Sequence, residues 1–192
     1  MSDLTFELEP FENEAHKGFR GTAGPYGEVM AYHIKPVAPN RGKIVLRSQL
    51  VSEHLPEAHL DAIGAGGKPS VYQATLEIDG TPAKLRYNSY GLTRAARALH
   101  ITYADRAYTY RYTTSLHANI ELSRPGLRIT TKDGRRVKKV GVCRDVSAQG
   151  VVDELDLALA VLFEVVSTEP LVPVVAALYA SDRASANRVG SE

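Results

Sequence analysis

Alternating apolar and polar residues run along most of the chain, from its start to about residue 142. Leu4, Phe6 and Leu8 alternate with Thr5 and Glu7, which is the pattern of a half-buried β-strand. Comparable runs recur at intervals of about 8–12 residues, as expected for an antiparallel sandwich or barrel. The later sets are Met30, Tyr32 and Ile34; Ile44, Leu46 and Leu50; Ala74, Leu76 and Ile78; Ala83, Leu85 and Tyr87; Leu99, Ile101 and Tyr103; Tyr108, Tyr110 and Tyr112; Ile120 and Leu122; Leu127 and Ile129; and Val137, Val140 and Val142.

Two Asp-Gly pairs indicate hairpin turns between these runs. One is Asp79–Gly80 and the other is Asp133–Gly134, and each lies between two predicted strands. The alternation is interrupted at Lys138–Lys139, which predicts a β-bulge at that point.

The pattern changes near the C-terminus, over residues 153–166. Residues 157–163 are seven apolar residues in succession, and their alanines and leucines favour a helix. Asp153 is in position to be the N-cap, and Glu154 and Asp156 place negative charge in the first turn, where the helix dipole favours it. We therefore predict a helix over residues 153–166.

This predicted helix is apolar on nearly every side, whereas a helix that lies on a sheet needs only one apolar stripe. About 13 residues give a length of roughly 20 Å, which is too short to cross a bilayer. Protein must therefore surround the helix, and the preceding elements are mostly strands. We predict a mainly β (α+β) fold in which a closed antiparallel β-barrel surrounds a central hydrophobic C-terminal helix and has no exposed sheet edges.

The length of 192 residues suits one core better than two small ones, so we assign residues 1–180 to a single barrel domain. The apolar segment Leu171–Ala180 is interpreted as a short helix packed at a barrel end or outside. Residues 181–192 are polar and small, and we expect a flexible tail.

Composition and charge exclude some classes of function. With 23 basic and 22 acidic side chains the formal net charge is +1, so we expect no nucleic-acid partner. Cys143 is the single cysteine, which excludes an internal disulfide and suits a reducing compartment. The start MSDLTFELEP has acids where a signal peptide has basic residues. No apolar run reaches the roughly 18 residues of a membrane span, so we expect a cytoplasmic protein without a transmembrane segment.

The run of β-hairpins followed by the helix DELDLALAVLFEVV resembles the tubby C-terminal-like superfamily, most closely over Val71–Val166. That superfamily includes tubby domains, phospholipid scramblases and plant LURP-one-related proteins. The resemblance implies a barrel of about twelve strands around a central hydrophobic helix. It also implies phospholipid as a class of ligand, because tubby domains bind phosphoinositides through basic residues on the barrel surface. The chain matches no tubby lipid-binding motif, so no residue role carries over.

One cluster of cations lies on the hairpin predicted around Asp133–Gly134. Cations on a tight turn could contact anionic lipid head groups or nucleic-acid phosphates. The alternative is a solvated hairpin whose charges prevent edge-to-edge aggregation. The candidate ligand-binding residues are Lys132, Arg135, Arg136, Lys138 and Lys139.

The tyrosines of the set 108–112 share one strand face, and we favour core or cross-strand packing over an outward patch that binds a partner. The glycines and lysine of Gly64–Ser70 resemble a phosphate loop, but Pro69 follows the lysine where such a loop needs Ser or Thr. We predict a flexible connector there. Cys143 is interpreted as a small residue in or beside a strand.

Histidines offer a weak case for a metal site. His54 and His59 lie close in sequence to Glu57 and Asp61, but they lack the spacing of two histidines on one helix face that zinc motifs use. We therefore assign no metal ligand.

Two functional hypotheses remain. The first is a non-enzymatic binding module that engages anionic lipid or a protein partner through the barrel exterior, because the helix fills the interior. The second is an enzyme or small-ligand binder with a site at a barrel mouth, built from His54–Asp61 and Gly64–Pro69. We favour the first hypothesis, assign no catalytic residue and expect no cofactor.

Overall fold

A computed structural model describes residues 4–35, 44–64, 67–88, 90–91, 93, 95–113 and 119–172. These residues form a closed barrel of twelve antiparallel strands, in which each strand pairs with its neighbours along the chain. β1 also pairs with β12, with Leu4 opposite Ala148, and this pairing closes the barrel. The strands are β1 (Leu4–Glu12), β2 (His16–Thr22), β3 (Glu28–Ile34), β4 (Ile44–Ser52), β5 (Ala58–Gly64), β6 (Ala74–Ile78), β7 (Thr81–Arg86), β8 (Leu99–Tyr103), β9 (Arg106–Tyr112), β10 (Asn119–Arg124), β11 (Leu127–Val137) and β12 (Gly141–Gly150).

The predicted helix lies inside the barrel. α1 spans Glu154–Leu162 and continues as a 3-10 turn over Phe163–Val165. Asp153 is the N-cap: its carboxylate accepts a hydrogen bond from the Asp156 amide, and the Asp156 carboxylate accepts one from the Asp153 amide. Residues 156–166 are all buried. We call residues 153–166 the plug, and its position confirms the mainly β, closed-barrel prediction.

The inner faces of the strands pack on the plug. Tyr108 and Tyr110 point inward and are buried, which confirms core packing for these two members of the tyrosine set. The ring of Tyr110 lies 5.0 Å from that of Phe163 on the plug. Removing this apolar surface from water is the main stabilising contribution, at about 25 cal/mol per Å².

The face assignment of β3 is wrong in the sequence-based prediction. Met30, Tyr32 and Ile34 were grouped as its apolar set, but they lie on the outer face and Ile34 is exposed. The buried face consists of Val29, Ala31 and His33. Both sets have period two, so the alternation alone does not decide which one faces the core. On the outer face, the Tyr32 ring packs 4.4 Å from the ring of His16.

One of the two predicted hairpin turns is confirmed. Asp79 and Gly80 have positive φ values of 47° and 71° and join β6 to β7, as expected for a two-residue hairpin turn.

The turn predicted at Asp133–Gly134 is wrong, because β11 runs through both residues and the chain reverses at residues 138–140. The register shift lies between Asp133 and Arg136 rather than at Lys138–Lys139. A Cβ atom at Gly134 would lie 2.6 Å from the Asp145 Oδ1 atom, so a larger residue there would displace the exposed Asp145 side chain.

The two ends of the barrel differ in how their strands are connected. At the end where α1 begins, which we call the turn end, β6–β7, β8–β9 and β10–β11 are joined by two-residue turns. At the opposite end, the loop end, the longest connections are residues 35–43 after β3, 65–73 after β5 and 87–98 after β7, while residues 13–15 and 138–140 form short connections. Long loops on a rigid scaffold are where binding residues concentrate.

Part of the predicted C-terminal organisation falls outside the described residues. A 3-10 turn covers Glu169–Leu171. The rest of the predicted helix Leu171–Ala180, from residue 173, and the tail 181–192 lie beyond the part of the chain that the structure describes.

Candidate functional site

The predicted cationic residues lie on the β11–β12 hairpin, which projects at the loop end. Arg135 is bound to the acidic strand β1: its guanidinium lies 2.9 Å from Glu7 and also contacts Glu9. The remaining four residues are exposed and have no anionic partner among the described residues. We call them the hairpin cations: Lys132, Arg136, Lys138 and Lys139. The structure therefore separates Arg135 from the other four predicted binding residues.

Exposed aliphatic side chains lie on the outer wall towards the same end. Val45 and Ile63 face each other across β4 and β5, and they are 69% and 55% exposed. Ile34 is the last residue of β3, beside the loop end. Single exposed apolar residues are ordinary. Ile34, Val45 and Ile63 lie towards the end that carries the hairpin cations, whereas Val51 and Val151 lie towards the turn end.

An acidic groove of about 870 Å³ lies on the outer wall of β1–β4, towards the turn end. Its charged lining residues are Glu7, Glu9, Arg20, Glu28 and Glu53. The exterior charge is thus uneven along the barrel axis, with acids towards the turn end and unpaired cations at the loop end.

At the turn end, buried polar groups of the plug are fully paired. The Asp156 side chain is 0% exposed, and the Arg124 guanidinium binds both of its oxygens, at 2.7 and 2.6 Å. The Tyr108 hydroxyl donates to the same carboxylate at 3.0 Å. Arg106 contacts Asp153, the N-cap. Burial acts to raise the pKa of Asp153, but the Asp156 amide and Arg106 hold it below its usual value.

At the loop end, the plug presents a buried carboxyl with looser pairing. Arg144 points inward from β12, where its Nε lies 3.1 Å from Glu164 Oε2, and it also contacts Asp133 of the hairpin. Lys68, from the connection after β5, reaches over the plug and its Nζ donates to the Glu164 carbonyl at 3.3 Å. The Tyr112 hydroxyl is bonded to Thr168.

Four buried polar atoms have no hydrogen-bond partner among the described residues, and all four lie at the loop end. They are His33 Nδ1, Tyr110 OH, Glu164 Oε1 and Arg144 Nε, of which Arg144 Nε lies at ion-pair distance from Glu164 Oε2 without hydrogen-bond geometry. Buried polar atoms are nearly always paired, with protein or with ordered water. We call the groups around them the loop-end cluster: His33, Lys68, Tyr110, Arg144 and Glu164.

Burial dominates the electrostatics of this cluster. Burial raises the pKa of Glu164, although Arg144 and Lys68 act against the rise. Desolvation by the neighbouring chain lowers the pKa of Lys68, although this residue is exposed at the protein surface, and burial raises the pKa of Tyr110 well above its usual value. The pKa of His33 is lowered to about 4, first by burial and then by Lys68. The cluster thus favours neutral forms, in contrast to the turn end.

The barrel-mouth site proposed from two loops is not formed as predicted. His54 lies at the turn end, and residues 58–61 already belong to β5, which spans the barrel and separates His54 from Lys68. His59 faces Glu77 at 3.4 Å, and Asp61 is bound by Arg47 at 2.6 Å. Among the described residues, no group of three or more His, Cys, Asp or Glu side chains is arranged to hold a metal ion.

Cys143 lies on β12, as predicted for a small residue in a strand, and is buried. It faces outward beneath Arg135 and Glu7, and burial raises the pKa of its thiol. None of the helices in the described ranges is long and apolar enough to cross a membrane.

Sequence reasoning missed Lys68, Arg144 and Glu164 as a group. Glu164 offered one signal, because it is the single charged residue in the segment 157–166. Lys68 was noted only as part of Gly64–Ser70, which was interpreted as a connector, and Arg144 gave no signal, since only barrel closure brings the two together.

Comparisons with known proteins leave the family open: no family model, curated protein or solved structure matches the chain.

Proposed function

We propose that the protein is a non-enzymatic binding module that engages an anionic phospholipid surface with its loop end. The observation that carries this proposal is the set of four exposed hairpin cations without anionic partners among the described residues. Each basic residue close to an anionic membrane contributes about 1 kcal/mol of attraction, which decays within a Debye length.

The distribution of charge and apolar surface supports this orientation. An approaching anionic surface would be attracted by the hairpin cations and repelled by the acidic groove near the turn end. Val45, Ile63 and Ile34 then lie towards the contacting end, where their exposed side chains could enter the interface.

The filled interior favours an exterior role. The plug occupies the barrel axis and residues 157–163 are buried on every side, so the apolar core has no room for an acyl chain. The architecture is also the one that resemblance to the tubby-like superfamily implies, and we include membership of that superfamily in this proposal.

Co-sedimentation with vesicles tests the proposed function. We expect binding to phosphatidylcholine vesicles that contain phosphatidylserine, weak binding to phosphatidylcholine alone, and a decrease as salt is raised. Changing Lys132, Arg136, Lys138 and Lys139 to Ser should lower the partition coefficient by about 100-fold or more.

A control variant that loses the same charge elsewhere on the barrel tests whether the position of the hairpin cations matters. Lys138→Ser removes one exposed cation of the hairpin, whereas Lys84→Ser removes one exposed cation from the middle of β7. We expect the first variant to weaken binding far more than the second. Equal effects of the two variants, or equal binding to both kinds of vesicle, would contradict the proposal.

A further inference from the structure

The β11–β12 hairpin extends beyond both of its neighbouring strands. The ladder with β10 begins at Asn119 opposite Lys132, and the ladder with β1 ends at Leu8 opposite Arg144. Beyond these two pairs, residues 133–137 of β11 pair only with β12 within the described ranges. The hairpin cations therefore lie on a projecting pair of strands, where another molecule can reach them.

The acidic groove carries carboxylates that lack a cationic partner. Its turn-end part is lined by Glu28 and Glu53, which are exposed and form no ion pair among the described residues. Val29 pairs with Ser52, so the next step of the β3–β4 register brings Glu28 opposite Glu53. Like charges that face each other across a sheet repel. A cation placed between the two carboxylates would remove that repulsion.

Further along the groove, Glu7 and Glu9 share Arg135, and Arg20 lies opposite Glu9. The four glutamates of the groove outnumber these two arginines, so the groove is net negative. The hairpin cations have the opposite charge and, within the described residues, no anionic partner of their own. One chain therefore carries both halves of a complementary contact.

Size and apolar surface also suit a contact between the groove and the tip of the hairpin. The groove volume of about 870 Å³ lies within the range of roughly 300–1,000 Å³ that is usual for pockets that hold whole ligands. Met30 and Val51 face each other across β3 and β4 and line the groove, and Val51 is 42% exposed. At the hairpin tip, the partly buried Val137 and Val140 flank the two lysines. Lysine stems can cover apolar surface while their ammonium groups reach carboxylates.

The hairpin and the groove lie on adjoining strands but at opposite ends of the barrel. β12 of the hairpin pairs with β1, and β1 forms one side of the groove. Two barrels that lie side by side in opposite directions therefore place each hairpin at the groove of the other. A two-fold axis makes the two contacts identical and closes the assembly at two chains. Barrels that point in the same direction would instead bring the two cationic hairpins together, and like charges there disfavour association.

We propose that the protein forms a two-fold dimer in which the hairpin cations of each chain dock in the acidic groove of the other. Exposed charges dominate this contact, so the dimer is weak and is dissociated by salt. The dimer uses the same cations as the proposed membrane contact, and an anionic surface therefore competes with it. The experiments on the dimer contain no lipid, so a negative result there leaves the membrane proposal standing.

Sedimentation velocity of the full chain at low salt tests the dimer. We expect the sedimentation coefficient to rise with protein concentration up to the value of two chains, and to return to the monomer value as salt is raised. A dissociation constant of about 1 mM would still pair about half of the chains at about 1 mM protein. A purely monomeric protein at that concentration, or growth beyond two chains, would overturn the proposal.

Variants of the groove test which carboxylates matter. Glu28→Gln with Glu53→Gln should lower the dimerisation constant by about tenfold or more, because each dimer loses four carboxylates from its two contacts. Glu57→Gln with Asp105→Asn is the matched control, since both residues are exposed at the turn end but do not line the groove. We expect the control to dimerise like the wild type. Equal weakening by the two pairs of substitutions would contradict docking in the groove.

A mixture of complementary variants tests whether the two contacts are reciprocal. Lys138→Ser with Lys139→Ser weakens the hairpin, and Glu28→Gln with Glu53→Gln weakens the groove, so neither variant alone retains an unaltered contact. A heterodimer of the two retains one. We expect the mixture to associate about threefold or more tightly than either variant alone. All four residues are exposed, and circular dichroism verifies that both variants fold. A mixture that associates no more tightly than its components would overturn the proposal.

Discussion

The two ends of the plug bury a carboxyl group in opposite ways. At the turn end, Asp156 has a bidentate arginine, a tyrosine hydroxyl and a backbone amide as partners. At the loop end, Glu164 has an arginine at ion-pair distance, and one of its oxygens has no hydrogen-bond partner among the described residues. The lengths of the connections also differ, because three pairs of strands are joined by two-residue turns at the first end and the longest connections lie at the second.

This difference separates stability from function. A buried ion pair stabilises a fold only when its geometry and its remaining hydrogen bonds offset desolvation. Asp156 meets that condition and also caps α1, so the turn end anchors the plug. Glu164 does not meet it, and groups that remain incompletely paired in a native structure commonly serve binding or switching.

The largest effect on stability is expected from a charge placed in the plug, and it tests whether the plug lies at the centre of the barrel. Leu159 is 0% exposed, and Leu159→Asp would place an unpaired charge inside the barrel at a cost of several kcal/mol. We expect this variant not to fold, as measured by circular dichroism and size-exclusion chromatography. Leu159→Met, which conserves volume, should cost less than about 1.5 kcal/mol. Wild-type thermal stability of Leu159→Asp would show that the plug is not central.

The next effect tests the turn end. Asp156→Asn leaves Arg124 without its counter-ion and weakens the cap, so we expect a loss of about 3 kcal/mol in the free energy of unfolding. Urea denaturation measures it. Asp105→Asn, at the exposed β8–β9 turn, is the control and should change stability by less than about 0.5 kcal/mol. Similar losses of unfolding free energy in the two variants would contradict the proposal that the turn end anchors the plug.

At the loop end, we expect a smaller effect on stability, and this effect depends on pH. The pKa of Glu164 is raised above its ordinary 4.5, first by burial, so the folded protein holds this proton more tightly than the unfolded chain. The favourable contribution is complete below pH 4.5 and is lost as pH rises through the folded pKa. Glu164→Gln should therefore gain stability relative to wild type as pH rises, while costing less than about 1 kcal/mol at neutral pH. Urea denaturation at a series of pH values measures this difference, and a pH-independent difference would contradict it.

A second pH-dependent effect concerns His33. Its pKa falls from 6.5 to about 4, first through burial, so the folded state keeps the ring neutral while the unfolded chain becomes protonated. Stability should therefore rise with pH between about 4 and 6.5, and His33→Asn should flatten that rise. His100→Asn, at an exposed position, should leave the slope intact. Thermal unfolding across this pH range is the measurement, and an identical slope in the His33 variant would refute the assignment.

Patterns within a few residues of sequence predicted the architecture, but they did not predict contacts between residues that are far apart along the chain. The acidic cap at Asp153 and the continuous apolar run after it sufficed to predict a buried helix, because both signals lie within a few residues. The phase of β3 and the position of the β11–β12 turn were wrong, because they depend on packing of His16 against Tyr32 and of Gly134 against Asp145.

The candidate sites divide in the same way. A run of basic residues is visible in sequence, so the hairpin cations were predicted, but the pairing of Arg135 with Glu7 joins residues at opposite ends of the chain. The loop-end cluster was not predicted, because Lys68, Arg144 and Glu164 meet only when the barrel closes around the plug.

The pairing of β1 with β12 also has a consequence for how the chain folds. Leu4 lies opposite Ala148, so the contact that seals the barrel joins two strands that are far apart along the chain. Loop closure over such a separation slows folding. Until β12 leaves the ribosome, β1 is an edge strand that other chains can pair with. The plug follows β12 in the chain, so neither the last strand pairing nor the buried helix is available to the earlier strands until residues 153–166 have been synthesised.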